Sequence, residues 1–119
     1  MLELAAALLA LMGVAHAYLG ERYILSRLAR REAQLPPLLG GTAFTLGTLR
    51  FVWHLIAVPW GTMAYLLLVL AHSDPSRDQL LTAIGASASL SALMPFWFTR
   101  GRHLSWLVFL LIGGLVLGA

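Results

Sequence analysis

Four long stretches of this chain contain no Asp, Glu, Lys or Arg, and this pattern limits the possible folds more than any other feature. The stretches are residues 4–20, 51–73, 79–99 and 103–119. About 20 consecutive apolar residues cross the hydrocarbon core of a bilayer as a helix. Because lipid cannot satisfy exposed backbone N–H and C=O groups, the four stretches are predicted to be helices and not open strands.

The composition agrees with a membrane environment. The chain is 60% hydrophobic and 11% charged, whereas soluble domains average about 25% charged residues. Its basic residues are all arginines, which flank the apolar stretches and form no separate basic face. We therefore expect the bilayer and its anionic headgroups as partners, and no nucleic acid. The absence of cysteine excludes disulfides, thiolate-bound metals and covalently attached haem.

These features predict an all-α membrane protein, a single domain in which four transmembrane helices form a bundle with short loops. The predicted spans are residues 3–25, 45–72, 77–98 and 101–119, and the fourth span takes its first turn from the TRGRH segment. Seven of the eight arginines flank the first and third loops, while Arg77 alone lies in the second. The positive-inside rule makes the arginine-rich side cytoplasmic, so both termini are predicted to be periplasmic.

Local signals predict where helices bend and begin. Pro59 and Pro95 should kink their helices, because proline removes a donor and clashes with the preceding turn. The second loop offers two alternative caps for the third span. One is Asp74 followed by proline, and the other is a capping box formed by Ser76 and Gln79.

Ionisable residues lie near the arginine-rich ends of the first two spans. At a rise of about 1.5 Å per residue, His16 lies roughly 7–8 Å deeper than Glu21, and His54 roughly 6 Å deeper than Arg50. A Glu21–Arg50 pair would therefore place both histidines at nearly the same depth. Because His16 and Glu21 are about 140° apart around the helix, we expect them to flank the helix contact.

The third loop and the aromatic residues extend this cluster at the same level. Ionisable residues within a membrane usually face the bundle interior and mark a functional site. The predicted ligand-binding residues are His16, Glu21, Arg50, Trp53, His54, Arg102, His103 and Trp106. The alternative is a purely structural cluster, in which an ion pair sets the helix register and the histidines bond to each other or to carbonyls.

Three classes of ligand suit these residues. His16, His54 and His103 form a candidate metal site, with Glu21 as a further ligand, since imidazole and carboxylate bind zinc, iron or copper. His16 and His54 alone are candidate axial ligands for haem b. Guanidinium groups would bind an anion such as a lipid headgroup or a small carboxylate. The candidate donors are Arg22, Arg50, Arg100 and Arg102.

The leading functional hypothesis is a small membrane protein that binds a metal ion, an anion or a proton-linked solute for transport, sensing or metal handling. One alternative is a membrane oxidoreductase that depends on a metal or haem b. Another is an accessory subunit of a membrane complex. Catalytic residues are not assigned. Gly114 and Gly118 form a GxxxG pair, for which packing within the bundle is favoured over a homodimer contact.

Three stretches together resemble a group of short bacterial four-span membrane proteins whose function is not established. They are AHAYLGERYIL (15–25), RFVWH (50–54) and GRHLSW (101–106). The resemblance covers most of the chain and implies a four-span topology in the bacterial inner membrane, without implying an activity. The positions that it singles out are His16, Gly20, Glu21, Arg50, Trp53, His54, Arg102, His103 and Trp106.

Overall fold

The computed structural model describes residues 1–119 and is all-helical, without β-strands. Three helices are long and apolar enough to cross a membrane: Leu2–Ala29, Thr42–His72 and Arg77–Thr99. A fourth apolar helix, Ser105–Leu117, is shorter. The all-α prediction is confirmed, and the length and composition of these helices are consistent with a membrane protein.

The helical elements follow one another with short connections. In chain order they are α1 (Leu2–Leu19), a π-helical turn (Gly20–Leu25), α2 (Ser26–Ala29), a 3-10 turn (Glu32–Gln34), α3 (Thr42–Leu55), α4 (Ala57–His72), α5 (Arg77–Thr99) and α6 (Ser105–Leu117). The first three elements are one continuous helix, and α3 and α4 are continuous apart from a break at Ile56.

Pro59 explains the break between α3 and α4. Its ring lacks an N–H and clashes with the carbonyl of the residue four positions earlier, which is Leu55, the last residue of α3. The α-helix is therefore interrupted at Ile56, three residues before the proline. By contrast, α5 continues through Pro95 as a single helix to Thr99.

The helices pack in pairs that form a flat slab. α1 lies along α4, α5 lies along α6, and α3 lies along α5. The Cα atoms extend over 51 × 32 × 14 Å. Within the second long helix, α3 lies mainly against α5, while α4 lies along α1 and also contacts α5.

Small residues make most of the close helix contacts. Only 16 of the 119 residues are buried. Five of them are glycines, namely Gly13, Gly20, Gly47, Gly85 and Gly113. Large apolar side chains on α1 and α6 instead point outward, as in Leu11 and Leu111, which are 65% and 62% exposed. Small residues inside and large apolar residues outside are typical of helices that face lipid.

The start of α5 uses one of the two predicted caps. The backbone N–H of Gln79 donates to Ser76 Oγ at 3.2 Å, and the Ser76 N–H donates to Gln79 Oε1 at 2.9 Å. This is a complete capping box, and Ser76 rather than Asp74 is the N-cap residue.

The last helix begins later than predicted. Arg100 and Gly101 both adopt left-handed conformations, with φ of 54° and 76°. The Gly101 N–H donates to the carbonyl of Phe96 at 2.8 Å, which closes the end of α5 in the manner of a Schellman motif. Residues 100–104 therefore form a turn, and α6 starts at Ser105 and not within the TRGRH segment.

A different glycine from the predicted pair joins α6 to α5. A Cβ added to Gly113 would overlap Ser89 Oγ and lie 3.0 Å from the Gly85 carbonyl oxygen. A Cβ added to Gly114 would meet nothing within 4 Å. The predicted packing of the Gly114–Gly118 pair within the bundle is therefore wrong, because Gly113 faces α5 instead.

Candidate functional site

Glu21 accepts hydrogen bonds from two residues of α3. Arg50 Nη2 donates to Glu21 Oε1 at 2.5 Å. His54 Nε2 lies 3.1 Å from Glu21 Oε2, and it carries the hydrogen because an ionised carboxylate can only accept. Arg50 and His54 are one helical turn apart, so a single carboxylate bridges both. The predicted Glu21–Arg50 pair is present in the structure.

The π-helical turn positions Glu21 at this contact. The Ser26 N–H donates to the Glu21 carbonyl five residues earlier, so the helix is locally wider. Single π turns inside α-helices occur frequently at functional sites. Arg22, the next residue, places its guanidinium 5.9 Å from the centroid of the Tyr23 ring.

Trp53 joins the two helices beside this ion pair. Its indole Nε1–H donates to the carbonyl oxygen of His16 at 3.1 Å. The indole also stacks on the His16 imidazole, with centroids 4.6 Å apart and planes at 6°. Gly20 makes room for it, since a Cβ there would overlap the indole. His16 and Glu21 thus contact neighbouring residues of α3, and they flank the contact as the helix geometry predicted.

The two histidines of the cluster have different neighbours. His54 stacks on Phe98 of α5, with centroids 5.4 Å apart, and directs Nε2 at Glu21. His16 contacts Trp53 and, edge-on, Trp60 at 5.4 Å. An axial haem ligand must direct a ring nitrogen at the iron, whereas the Nε2 of His54 is directed at a carboxylate.

His103 lies in the turn before α6 and is held by local hydrogen bonds. Its backbone N–H donates to Thr99 Oγ1 at 3.0 Å, and its Nδ1 lies 2.8 Å from Ser105 Oγ. The ring contacts Phe44 and Phe51 of α3, at centroid distances of 6.0 and 4.7 Å. These contacts fix His103 against α3 and position the start of α6.

The predicted three-histidine metal site is not assembled. The structure brings no group of three or more His, Cys, Asp or Glu side chains together in a way that could hold one metal ion. His16, His54 and His103 each have a separate aromatic environment. Equal depth along the helices is not sufficient for shared ligation, because the side chains must also point to one centre.

Trp106 fixes the turn that carries two arginines. Its indole Nε1–H donates to the Gly101 carbonyl at 3.1 Å. The same indole meets the Phe96 ring edge-on at 5.3 Å. Trp106 therefore acts as a positioning residue for Arg100 and Arg102, which lie on either side of Gly101.

An arginine cavity of about 320 Å³ lies where α3, the end of α5 and the 3-10 turn meet. Its charged lining residues are Arg50, Arg100, Arg102 and Glu32. Glu32 was not among the predicted site residues, because nothing in its local sequence places it near α3. Thr42 Oγ1 donates to Glu32 Oε1 at 3.2 Å and links the 3-10 turn to the start of α3.

The arginine cavity has positively charged donors without partners. Arg100 and Arg102 take part in none of the ion pairs of the structure, which join Glu21 to Arg50 and to His54 and Glu3 to His72. The Nε atom of Arg50 is buried and has no hydrogen-bond partner. The cavity has three arginines and one carboxylate, Glu32; if Glu21, the partner of Arg50, is added, one positive charge is still unbalanced. Guanidinium groups match the geometry of carboxylates and phosphates, so the cavity is suited to an anion.

The chain matches no protein-family model, no curated protein and no solved structure. The case for a function therefore depends on the geometry of the Glu21 cluster and the arginine cavity.

Proposed function

We propose that this chain is a bacterial inner-membrane protein that binds a small anion in the arginine cavity. In this proposal four helices span the membrane, both termini are periplasmic and the cavity lies at the cytoplasmic side. The concentration of arginines at one end of the molecule supports this orientation. The resemblance to short bacterial four-span proteins supports the location.

The short α6 can serve as the fourth span if the bilayer adapts to it. Its 13 residues extend over roughly 20 Å at 1.5 Å per residue, against a hydrocarbon core of about 30 Å. A short span is accommodated by local thinning of the bilayer at modest cost. The slab form, with α6 at one edge, leaves lipid free to thin there.

One observation carries the anion proposal. Three guanidinium groups line one cavity, two of them belong to no ion pair, and the third has a buried N–H without a partner. A buried donor without an acceptor is costly. An anion in the cavity would supply acceptors to all three arginines.

The Glu21 cluster gives this site a way to respond to its ligand. Glu21 bonds Arg50 with one oxygen and His54 with the other. An anion that binds Arg50 would compete with Glu21 for its guanidinium group, and His54 would then be the remaining partner of Glu21. The proposed role is therefore transport or sensing of an anion, with His54 as the partner that stays bonded to Glu21.

The test is a titration of the purified protein with inorganic phosphate in an uncharged detergent, followed by calorimetry. The double variant Arg100→Gln, Arg102→Gln should bind phosphate about 10- to 100-fold more weakly, because hydrogen bonds to charged groups contribute roughly 1.5–3 kcal/mol. The matched control is Arg77→Gln, which removes an arginine at the opposite end of the molecule. Equal binding by the double variant and the control would contradict the proposal.

A second group of arginines is proposed to bind lipid headgroups. Arg27, Arg30 and Arg31 line an open groove together with Gln34 and Leu35. Basic residues next to a membrane span attract anionic lipids at the cytoplasmic surface. This groove is separate from the arginine cavity and would fix the depth of α2 in the interface.

A second candidate function is that of an accessory subunit or homodimer. The observation in its favour is the open space beside Gly114. In lipid, a glycine face allows another helix to approach closely. In that case Gly114 and Gly118 would form the contact with a second copy or with another membrane protein.

A further inference from the structure

Three neighbouring cavities lie between the second long helix and α5, and each shares lining residues with the next. We call this row of cavities the groove; its middle cavity is also lined by Ala17 of α1. The arginine cavity is followed by cavities of about 390 and 480 Å³. Phe98 lines the first and the second, and Ala57 and Val58 line the second and the third.

The three cavities lie on one side of the second long helix. Their lining residues on α3 and α4 recur every three or four positions, which is the spacing of one helical face. They include Gly47, Arg50, His54, Ala57, Gly61 and Tyr65. The groove therefore runs along one face of this helix, with the arginine cavity at one end and the stacked His54 and Phe98 rings where the first two cavities meet.

The polarity of the groove changes along its length. The first cavity is lined by four charged residues, and the second has His54 as its only titratable residue. The third has small lining residues that include Gly61, Ala83 and Ala86, and it has no Asp, Glu, Lys or Arg. A Cβ on Gly61 would meet nothing within 4 Å, so the third cavity is open at this point.

We propose that the anion is the phosphate of an amphiphile, and that its hydrocarbon chain lies in this groove. The inference rests on the proposed function, because the phosphate occupies the arginine cavity. From His54 to Tyr65 the helix rises roughly 16 Å over eleven residues. This is about half of a 30 Å hydrocarbon core, so the apolar part of the groove matches one leaflet.

In this arrangement the charged and apolar parts of the groove lie at the depths of the corresponding parts of a lipid. Arg50 lies one turn nearer to the arginine-rich end than His54, which places the guanidinium groups where the headgroups of that leaflet lie. The apolar cavities then lie at the depth of the acyl chains. A soluble anion would use only the arginine cavity, whereas a phosphorylated lipid is complementary to the whole groove.

The first experiment compares two phosphate monoesters with and without a chain. Native mass spectrometry in an uncharged detergent would measure binding of phosphatidic acid and of glycerol 3-phosphate, which has no chain. Phosphatidic acid should bind at least about tenfold more tightly, since burial of its chain adds favourable transfer free energy. Equal affinities would overturn the inference.

The second experiment fills the groove. Gly61→Leu places a side chain in the third cavity, and Gly114→Leu places the same side chain in open space on α6. Only Gly61→Leu should weaken phosphatidic acid binding, by about tenfold, while glycerol 3-phosphate binding stays unchanged in both. The milder Gly61→Val serves if the leucine variant fails to fold. Full phosphatidic acid binding by a folded Gly61 variant would overturn the inference.

The outcomes separate this inference from the proposed function. If glycerol 3-phosphate binds through Arg100 and Arg102 but the chain adds nothing, the anion site stands and the groove inference falls. If the Arg100→Gln, Arg102→Gln variant binds both compounds as tightly as the unaltered protein does, the anion site falls as well.

Discussion

The α5–α6 junction and the α1–α3 junction join apolar helices by different means. At the first, two backbones approach closely at Gly85 and Gly113 without an ion pair, and the only charged side chain that bonds across it is Arg77, which donates to the Ala119 carbonyl oxygen at 3.4 Å. At the second, Glu21 and Arg50 form an ion pair beside the Trp53 indole. Helices in lipid can associate through close packing of small residues alone. The α5–α6 junction therefore associates mainly through close packing of small residues, whereas the α1–α3 junction also uses an ion pair.

The α1–α3 junction is also more accessible than the α5–α6 junction. Gly113 and Gly85 are buried, whereas the Glu21 and Arg50 side chains are 39% and 29% exposed. Charged groups at membrane depth are costly and usually mark a functional site. The comparison shows that the closest contact of α5 with α6 is buried, while α1 and α3 are joined through an ion pair that stays partly accessible.

The largest expected effect breaks the α5–α6 junction. Gly113→Leu should lower the free energy of unfolding by about 3 kcal/mol or more, because overpacking against backbone on both sides cannot relax. Gly114→Leu, the neighbouring control, should change it by less than about 0.5 kcal/mol. Thermal unfolding in detergent, followed by circular dichroism, measures both. Equal losses in the two variants would show that α6 does not pack on α5 through Gly113.

A smaller effect is expected at the packing part of the α1–α3 junction. Gly20→Ala should cost about 1–3 kcal/mol, because the added methyl group displaces the Trp53 indole. The emission of Trp53 should shift as its contact with His16 is lost. Gly61→Ala is the control, and it should be neutral or stabilising by up to about 1 kcal/mol, since alanine favours helix and no atom lies near. If Gly20→Ala were as stable as Gly61→Ala, the Trp53 indole would not pack against Gly20.

The smallest effect concerns the ion pair, and it sharpens the comparison most. A double-mutant cycle with Glu21→Gln and Arg50→Gln should give a coupling energy of about 0.6–1.7 kcal/mol, the range for polar contacts between membrane helices. The same cycle at Glu3 and His72, which are both about two-thirds exposed, should give less than about 0.5 kcal/mol. A coupling well above 3 kcal/mol at Glu21–Arg50 would make the α1–α3 junction mainly structural.

Much of the helical framework could be predicted from local sequence. Charge-free stretches indicate the helices, Pro59 indicates the interruption between α3 and α4, and Ser76 with Gln79 indicates the start of α5, because each signal acts within a few residues. The Glu21–Arg50 pair could also be predicted, since the rise per residue sets the depth of a side chain in an antiparallel pair.

The candidate site was predicted only in part, because depth does not determine direction. His16, His54 and His103 were grouped as metal ligands, yet each ring packs against a different aromatic residue. The GxxxG pattern points to Gly114 and Gly118, but the glycine that meets α5 is Gly113, because the face that packs depends on how α6 is rotated. Glu32 was missed because it approaches α3 through a turn.

The sequence by itself determined that the chain is helical and apolar enough for a membrane, and that charges gather at one end. These properties depend on hydrophobicity and on the regular geometry of the helix. Only the tertiary structure decided that Arg50, Arg100, Arg102 and Glu32 share one cavity. That arrangement depends on the left-handed turn at Arg100 and Gly101 and on the packing of α3 against α5. The reason is that small local changes of backbone angle set the relative positions of residues far apart in the chain, and hydrophobic patterning does not encode those angles.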